Sequence, residues 1–206
     1  RIHIFDGEGR EYLCSIKSIS NEGIILMIKE RHKIGRKRVK ITVACAIPKK
    51  AKMDEIIDKL TQLGVDEVIP LKTERTVVKL DKEKVKMRIA RWQKVVLAAS
   101  QQSQRSSLPK VSSLKDFREV VLSSSGFDLK LIPHLGPKRK SLKEALGAGD
   151  AKNILVFIGP EGDFSDGEVK KAVNAGFISV SLGENVLRID TAAIAVVSFI
   201  KLYAES

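Results

Sequence analysis

Acidic residues are scarce in this chain: 25 Asp and Glu stand against 37 Lys and Arg over 206 residues, a formal net charge of +12. A surplus of that size favours a polyanionic partner such as nucleic acid. Cysteine is rarer still, and Cys14 and Cys45 both sit in apolar, strand-like surroundings. They match no pairing motif, which favours buried thiols in a reducing cytoplasm over a disulfide or a metal site. The histidines His3, His32 and His134 are scattered without metal-ligand spacing, so no metal is expected. No apolar run approaches the length of a spanning helix and no signal peptide is visible, which argues against a membrane partner.

With 43% hydrophobic and 30% charged residues, the composition is that of a globular protein able to bury a sizeable core. The chain starts at Arg1 inside a strand-like stretch, Arg1-Ile2-His3-Ile4-Phe5, and an upstream part is expected to be missing. From residue 1 to about 40 the signal is β: Tyr12 to Ile19 and Ile24 to Ile28 read as strands joined by short turns, an antiparallel meander. The basic run from Lys29 to Lys40 reads as a linker, either simply solvated or in contact with nucleic acid.

A main unit, residues 41–206, then alternates strands and helices. Ile41 to Ile47 is its first strand. Met53, Ile56, Ile57, Leu60 and Leu63 recur at helical spacing up to Gly64, a C-cap. Val68 to Leu71 is the next strand. Lys82 to Gln102 is a long helix with Val85, Ile89, Trp92, Val96 and Ala99 on one face and basic residues, among them Arg88 and Arg91, mostly off it. Such a helix suits a phosphate backbone, since each neutralised phosphate releases counterions. Leu114 to Leu122 and Leu142 to Leu146 read as short helices. Ala192 to Tyr203 is apolar on nearly all sides and must be covered by its own fold or by a second subunit.

Three strand ends carry glycine or proline loops. Asp128 to Ile132 runs into Pro133-His134-Leu135-Gly136-Pro137. Ile154 to Phe157 runs into Ile158-Gly159-Pro160-Glu161-Gly162-Asp163-Phe164-Ser165, where Ser165 and Glu168 form a capping box that opens a helix. Ile178 to Leu182 runs into Gly183-Glu184-Asn185 and then Val186-Leu187-Arg188-Ile189-Asp190-Thr191-Ala192. Strand ends of this kind are where open α/β sheets bind ligands, and the last two are expected side by side in a parallel sheet.

The GPEG loop followed by LGxxVLRxDTA resembles the ribosomal RNA small subunit methyltransferase E family, one branch of the SPOUT α/β-knot methyltransferases. The resemblance runs from about Phe5 onward. It implies an α/β fold: a SPOUT trefoil-knot methyltransferase domain with a parallel sheet over residues 41–206, preceded by a partial PUA-like RNA-binding β domain over 1–40. It further implies S-adenosyl-L-methionine as cofactor, methylation of N3 of a uridine in small-subunit (16S) ribosomal RNA, and a homodimer. The cofactor would be held by His134, Ile158, Gly159, Pro160, Glu161, Gly162, Leu182, Gly183, Val186, Leu187 and Arg188. No GxGxxG accompanies a strand, which speaks against a Rossmann methyltransferase.

Arg188 and Glu161 are the candidate catalytic residues. N3 of uridine is a poor nucleophile until its proton leaves, and a permanent cation such as Arg188 would stabilise charge on the uracil oxygens. The bland alternative is a salt bridge from Arg188 to Glu161 or Asp190. His134 is either a general base or a structural hydrogen-bonder. Candidate RNA contacts are Arg75, Lys79, Arg88, Arg91 and Arg105, with Arg75 alternatively in an ion pair with Glu74 or a neighbour. The sequence departs from the family at Gln101 (usually acidic), Gln104 and Asp163 (usually glycine) and Asp190 (usually Glu). Two other readings stay open: a ribose 2′-O-methyltransferase of the same fold, and a non-catalytic RNA-binding protein.

Overall fold

A computed structural model describes residues 1–33, 35, 39–49, 52–76, 82–147 and 150–205. Ile34, Arg36, Lys37 and Arg38 of the basic run, Lys50, the candidate RNA contact Lys79 with Val77 and Val78 before it, and Ala148 and Gly149 lie outside the described residues.

The N-terminal strands β1 (Ile2–Phe5), β2 (Arg10–Ser20) and β3 (Gly23–Lys33) form an antiparallel sheet in the order β1-β2-β3. Strand β3 continues through Lys29–Lys33, which charge alone had assigned to a linker. It is an edge strand with nearly every side chain exposed, a place where charge prevents edge-to-edge pairing rather than marking a break in structure. The turn after β1 docks on the main unit: the Gly9 amide donates to the Ser106 carbonyl at 3.1 Å, and Leu108 donates to Gly7 at 2.9 Å.

The main unit comprises β4 (Lys40–Ala46), α1 (Lys52–Gln62), β5 (Glu67–Lys72), α2 (Lys82–Gln102), β6 (Lys110–Val111), β7 (Lys115–Asp116), α3 (Phe117–Leu122), β8 (Leu129–Pro133), β9 (Lys140–Ser141), α4 (Leu142–Leu146), β10 (Asn153–Ile158), α5 (Asp166–Asn174), β11 (Ile178–Ser181) and α6 (Ile189–Glu205). Its strands pair in parallel in the order β6-β5-β4-β10-β8-β11-β9, with β7 also on β5. The side-chain period of two is clean: Ile154, Val156 and Ile158 of β10 pack among α1, α2 and α6, whereas Leu155 and Phe157 pack among α3 and α5. On this second face Phe157 lies 4.5 Å from Phe177 and 5.1 Å from Phe117 between ring centroids.

Strands β10 and β11 are not neighbours; β8 lies between them and pairs with both. The chain thus leaves β8, crosses to β10 on one flank, returns past β8 to β11 on the other, and then sends α6 back against α1, β4 and β10. This double return sets the carboxyl ends of β8, β10 and β11 at one edge of the sheet. Two helix starts also differ from the sequence reading. Residues 115–116 pair with Leu71 and Lys72 of β5, so α3 begins only at Phe117, capped by Asp116 and Glu119. Helix α6 begins at Ile189, placing Asp190 in its first turn, where its charge suits the helix dipole. Among the described residues no helix is long and apolar enough to cross a membrane.

Phe157 is fully buried at the centre of the aromatic cluster. Phe157→Ala is expected to lower the free energy of unfolding by about 3–5 kcal/mol, read from urea denaturation.

Candidate active site

The three strand-end loops line one cleft of about 240 Å3. The loop after β8 contributes Pro133, His134, Leu135 and Arg139; the loop after β10 contributes Ile158, Gly159, Pro160, Glu161 and Asp163; the loop after β11 contributes Leu182, Gly183 and residues 185–189, and Ala192 closes it. Its walls are mainly apolar, from Ile158, Leu182, Val186 and Leu187, with a few polar groups at the rim.

Carboxylates hold the loops in place. Asp163 has φ +60, a left-handed value that Asp tolerates better than most residues, at the position where relatives are expected to carry glycine. Its Oδ2 accepts from the Leu135 amide at 2.7 Å and its Oδ1 from the Phe164 amide at 2.8 Å, so the first two loops are tied together. Gln104, the other site of an expected glycine, likewise has φ +54. Ser165 and Glu168 make the expected capping box on α5. Glu168 is buried, and its second oxygen accepts from the Glu74 amide at 2.9 Å, which the sequence did not foreshadow. Glu161 Oε1 accepts from the Lys49 amide at 2.9 Å, tying the loop to the exit of β4.

The predicted residues separate on this geometry. His134, Ile158, Gly159, Pro160, Glu161, Leu182, Gly183, Val186, Leu187 and Arg188 all line the cleft; Gly162 does not. The Gly162 carbonyl instead accepts from Arg75 Nη1 at 2.7 Å, and the Phe164 carbonyl accepts from the same atom at 3.3 Å. Arg75 is therefore a brace for this loop and, among the described residues, is paired neither with Glu74 nor with another carboxylate. Arg105 is turned into the protein: its side chain is 10% exposed, Nη1 donates to the Thr61 carbonyl at 2.9 Å, and Asp66 lies 3.9 Å from Nη2. Burial between α1 and the start of β5 removes it from the RNA-facing set. Arg91 is ion-paired with Asp54, which also accepts from the buried Trp92 indole at 3.0 Å. Arg88 is half-buried on α2 and makes no ion pair among the described residues.

Arg188 is exposed at the cleft, and its guanidinium has no hydrogen bond or ion pair among the described residues. Both partners proposed for it are engaged elsewhere, Glu161 with Lys49 and Asp190 with Lys52 at 3.8 Å. His134 Nδ1 accepts from the Gly136 amide at 3.0 Å, which places the ring proton on Nε2. Burial lowers its pKa, opposed by Asp163 and Asp166 and assisted by Arg139, so the ring is neutral at pH 7. With its lone pair already used, it is a hydrogen-bonding strut and not a ready general base. The site residues named from the sequence omitted Pro133, Leu135, Arg139, Asp163, Asn185, Ile189 and Ala192 of the cleft lining; Asp163 was singled out only as a departure from a family glycine.

A family model described as an RNA methyltransferase domain matches residues 35–201. Ribosomal RNA small subunit methyltransferase E of Bacillus subtilis is 28% identical over 204 residues, covering 96% of this chain and 80% of that protein. The chain belongs to the ribosomal RNA small subunit methyltransferase E family. Two solved structures extend the likeness. That of the family member from Neisseria gonorrhoeae, bound to S-adenosyl methionine, superposes with a TM-score of 0.83 at 28% identity, over 98% of this chain and 82% of that one. A Legionella pneumophila protein in complex with the bound cofactor SAM gives 0.87 at 31% identity, over 98% and 82%. The main unit accordingly has the SPOUT α/β-knot methyltransferase fold, as the resemblance implied.

Asp163→Ala is expected to be less stable than Asp163→Gly by about 1 kcal/mol, because both lose the carboxylate but only glycine relieves the left-handed backbone. In both variants the Leu135 amide should exchange with deuterium faster than in the parent protein. For His134, a folded pKa below the unfolded value near 6.5 means that the unfolded chain binds the proton first as pH falls. Stability should therefore drop as pH falls below about 6.5, and a series of thermal melts should show a shallower drop for His134→Gln.

Proposed function

We propose that this chain transfers a methyl group from S-adenosyl-L-methionine to N3 of a uridine in small-subunit (16S) ribosomal RNA. The observation that carries this reading is an apolar cleft shared by three strand ends with an uncommitted guanidinium, Arg188, at its mouth, in a chain of this family. The cleft suits the cofactor on its own chemistry. The amides of Gly159 and residues 185–187 make no hydrogen bond among the described residues, while Ile158, Leu182, Val186 and Leu187 supply apolar walls. Unsatisfied main-chain groups beside an apolar slot are what a flat heterocycle such as adenine requires. When bound, the cofactor supplies an electrophilic methyl on a sulfonium.

The protein's part is to make the uracil nucleophilic. Loss of the N3 proton puts negative charge on O2 and O4, and Arg188 is placed to stabilise it without a competing carboxylate. Glu161 is the second catalytic candidate: Oε1 is fixed on Lys49, and Oε2 makes no bond among the described residues. His134 is left to shape the first loop. The N-terminal sheet, read as a PUA-like RNA-binding half, and the outward face of α2 with Arg88 and Arg91 would grip the RNA, together with Lys79; a target base must be exposed or flipped out to enter the cleft. Assembly as a homodimer is supported by α6, where Phe199 and Leu202 remain 37% and 70% exposed on a helix otherwise packed into the core. A cytoplasmic location follows from the substrate.

Arg188→Ala is expected to lower the rate of methyl transfer to small-subunit RNA by about 100- to 1,000-fold while leaving S-adenosylmethionine affinity within about threefold. Calorimetry with the cofactor and mass analysis of nucleosides released from the RNA test both parts. Saturable cofactor binding without any methylated uridine would instead indicate a protein that binds RNA without modifying it.

A further inference from the structure

Among the described residues two guanidinium groups reach the cleft, and they are held very differently. Arg188 is exposed, and its guanidinium makes no bond among the described residues. Arg139 is half-buried, and its Nη1 donates to the carbonyl of His134, five residues back in the same loop, at 2.9 Å. Lys138, just before it, has φ +59, a left-handed value that turns the chain so that residue 139 folds back on residue 134. One N–H is thereby spent on orientation, while the other donors of the fork stay available.

The acids of the cleft do not use those donors. Glu161 and Asp163 accept from the amides of Lys49, Leu135 and Phe164, and Arg139 has no ion pair among the described residues. His134 accepts from Gly136 and adds no negative charge of its own. An oriented, half-buried guanidinium in an apolar cleft is a site for a small oxyanion, because a planar fork meets a carboxylate with two parallel bonds and loses little further freedom in doing so.

We propose that Arg139 binds the α-carboxylate of the cofactor's methionine moiety, leaving Arg188 free for the RNA base. The assignment rests on the reading of the cleft as an S-adenosylmethionine site. It divides the two cations by how they are held: the anchored one serves the small ligand lying within the cleft, and the free one meets the polymer arriving from solvent. The carboxylate is the only anionic group of the cofactor, so a single oriented fork suffices for it.

The test is calorimetry with two ligands that share the adenosine part, S-adenosylhomocysteine, which carries the carboxylate, and 5′-methylthioadenosine, which lacks it. Arg139→Gln should weaken S-adenosylhomocysteine by about 10- to 100-fold and leave 5′-methylthioadenosine within about twofold, with Arg139→Lys in between. Equal weakening of both ligands would overturn the assignment and make Arg139 a strut for the loop. Unchanged binding of both would overturn it as well. Failure of the parent protein to bind either ligand would instead remove the reading of the cleft itself, and the assignment with it.

Discussion

The structure turns on a carboxylate that ties two loops by their backbones. The cleft has to stay open, so the loops around it cannot be fixed by packing their side chains together. Asp163 meets this constraint by accepting from Leu135 in the neighbouring loop and from Phe164 in its own. Glu168 and Arg75 repeat the device behind the loop: the buried Glu168 caps α5 and holds the Glu74 amide, while Arg75, the next residue, holds the carbonyls of Gly162 and Phe164. Charge-assisted bonds to main-chain groups are strong for their size and place a backbone without filling the space in front of it. The left-handed conformation at Asp163 is the local strain that accompanies this arrangement.

What the sequence revealed was mostly what neighbouring residues determine. The capping box of Ser165 and Glu168, the limits of α2 at Lys82 and Gln102, and the left-handed Gly64 that ends α1 at φ +83 all depend on residues within one or two turns. The loops themselves were legible for the same reason, since glycine and proline mark strand ends. The order of the strands was not. Nothing local says that β8 lies between β10 and β11, because each parallel pairing joins segments separated by an intervening crossover. The same distance hid the partners of individual side chains. Arg75 and Arg105 look alike as isolated basic residues, yet one braces a loop 87 residues away and the other is clamped on Thr61. Charge likewise misread Lys29–Lys33 as a linker, because an edge strand and a solvated connection carry the same composition.

A net charge of +12 would suggest a site crowded with cations, but the cleft holds only two guanidinium groups among its described lining residues. Its two carboxylates are engaged by backbone amides and its histidine is held neutral. The outcome is a cleft whose unspent charge is positive and localised, set in apolar walls where water screens it less than at the open surface. For a reaction in which a neutral base must become an anion before it can attack, few cations held apart are more useful than many. A dense cationic patch would draw phosphates into the cleft and compete with the base for the same donors. The remaining basic residues, distributed on α2 and along β3, attract the polyanion without occupying the place where the charge must develop.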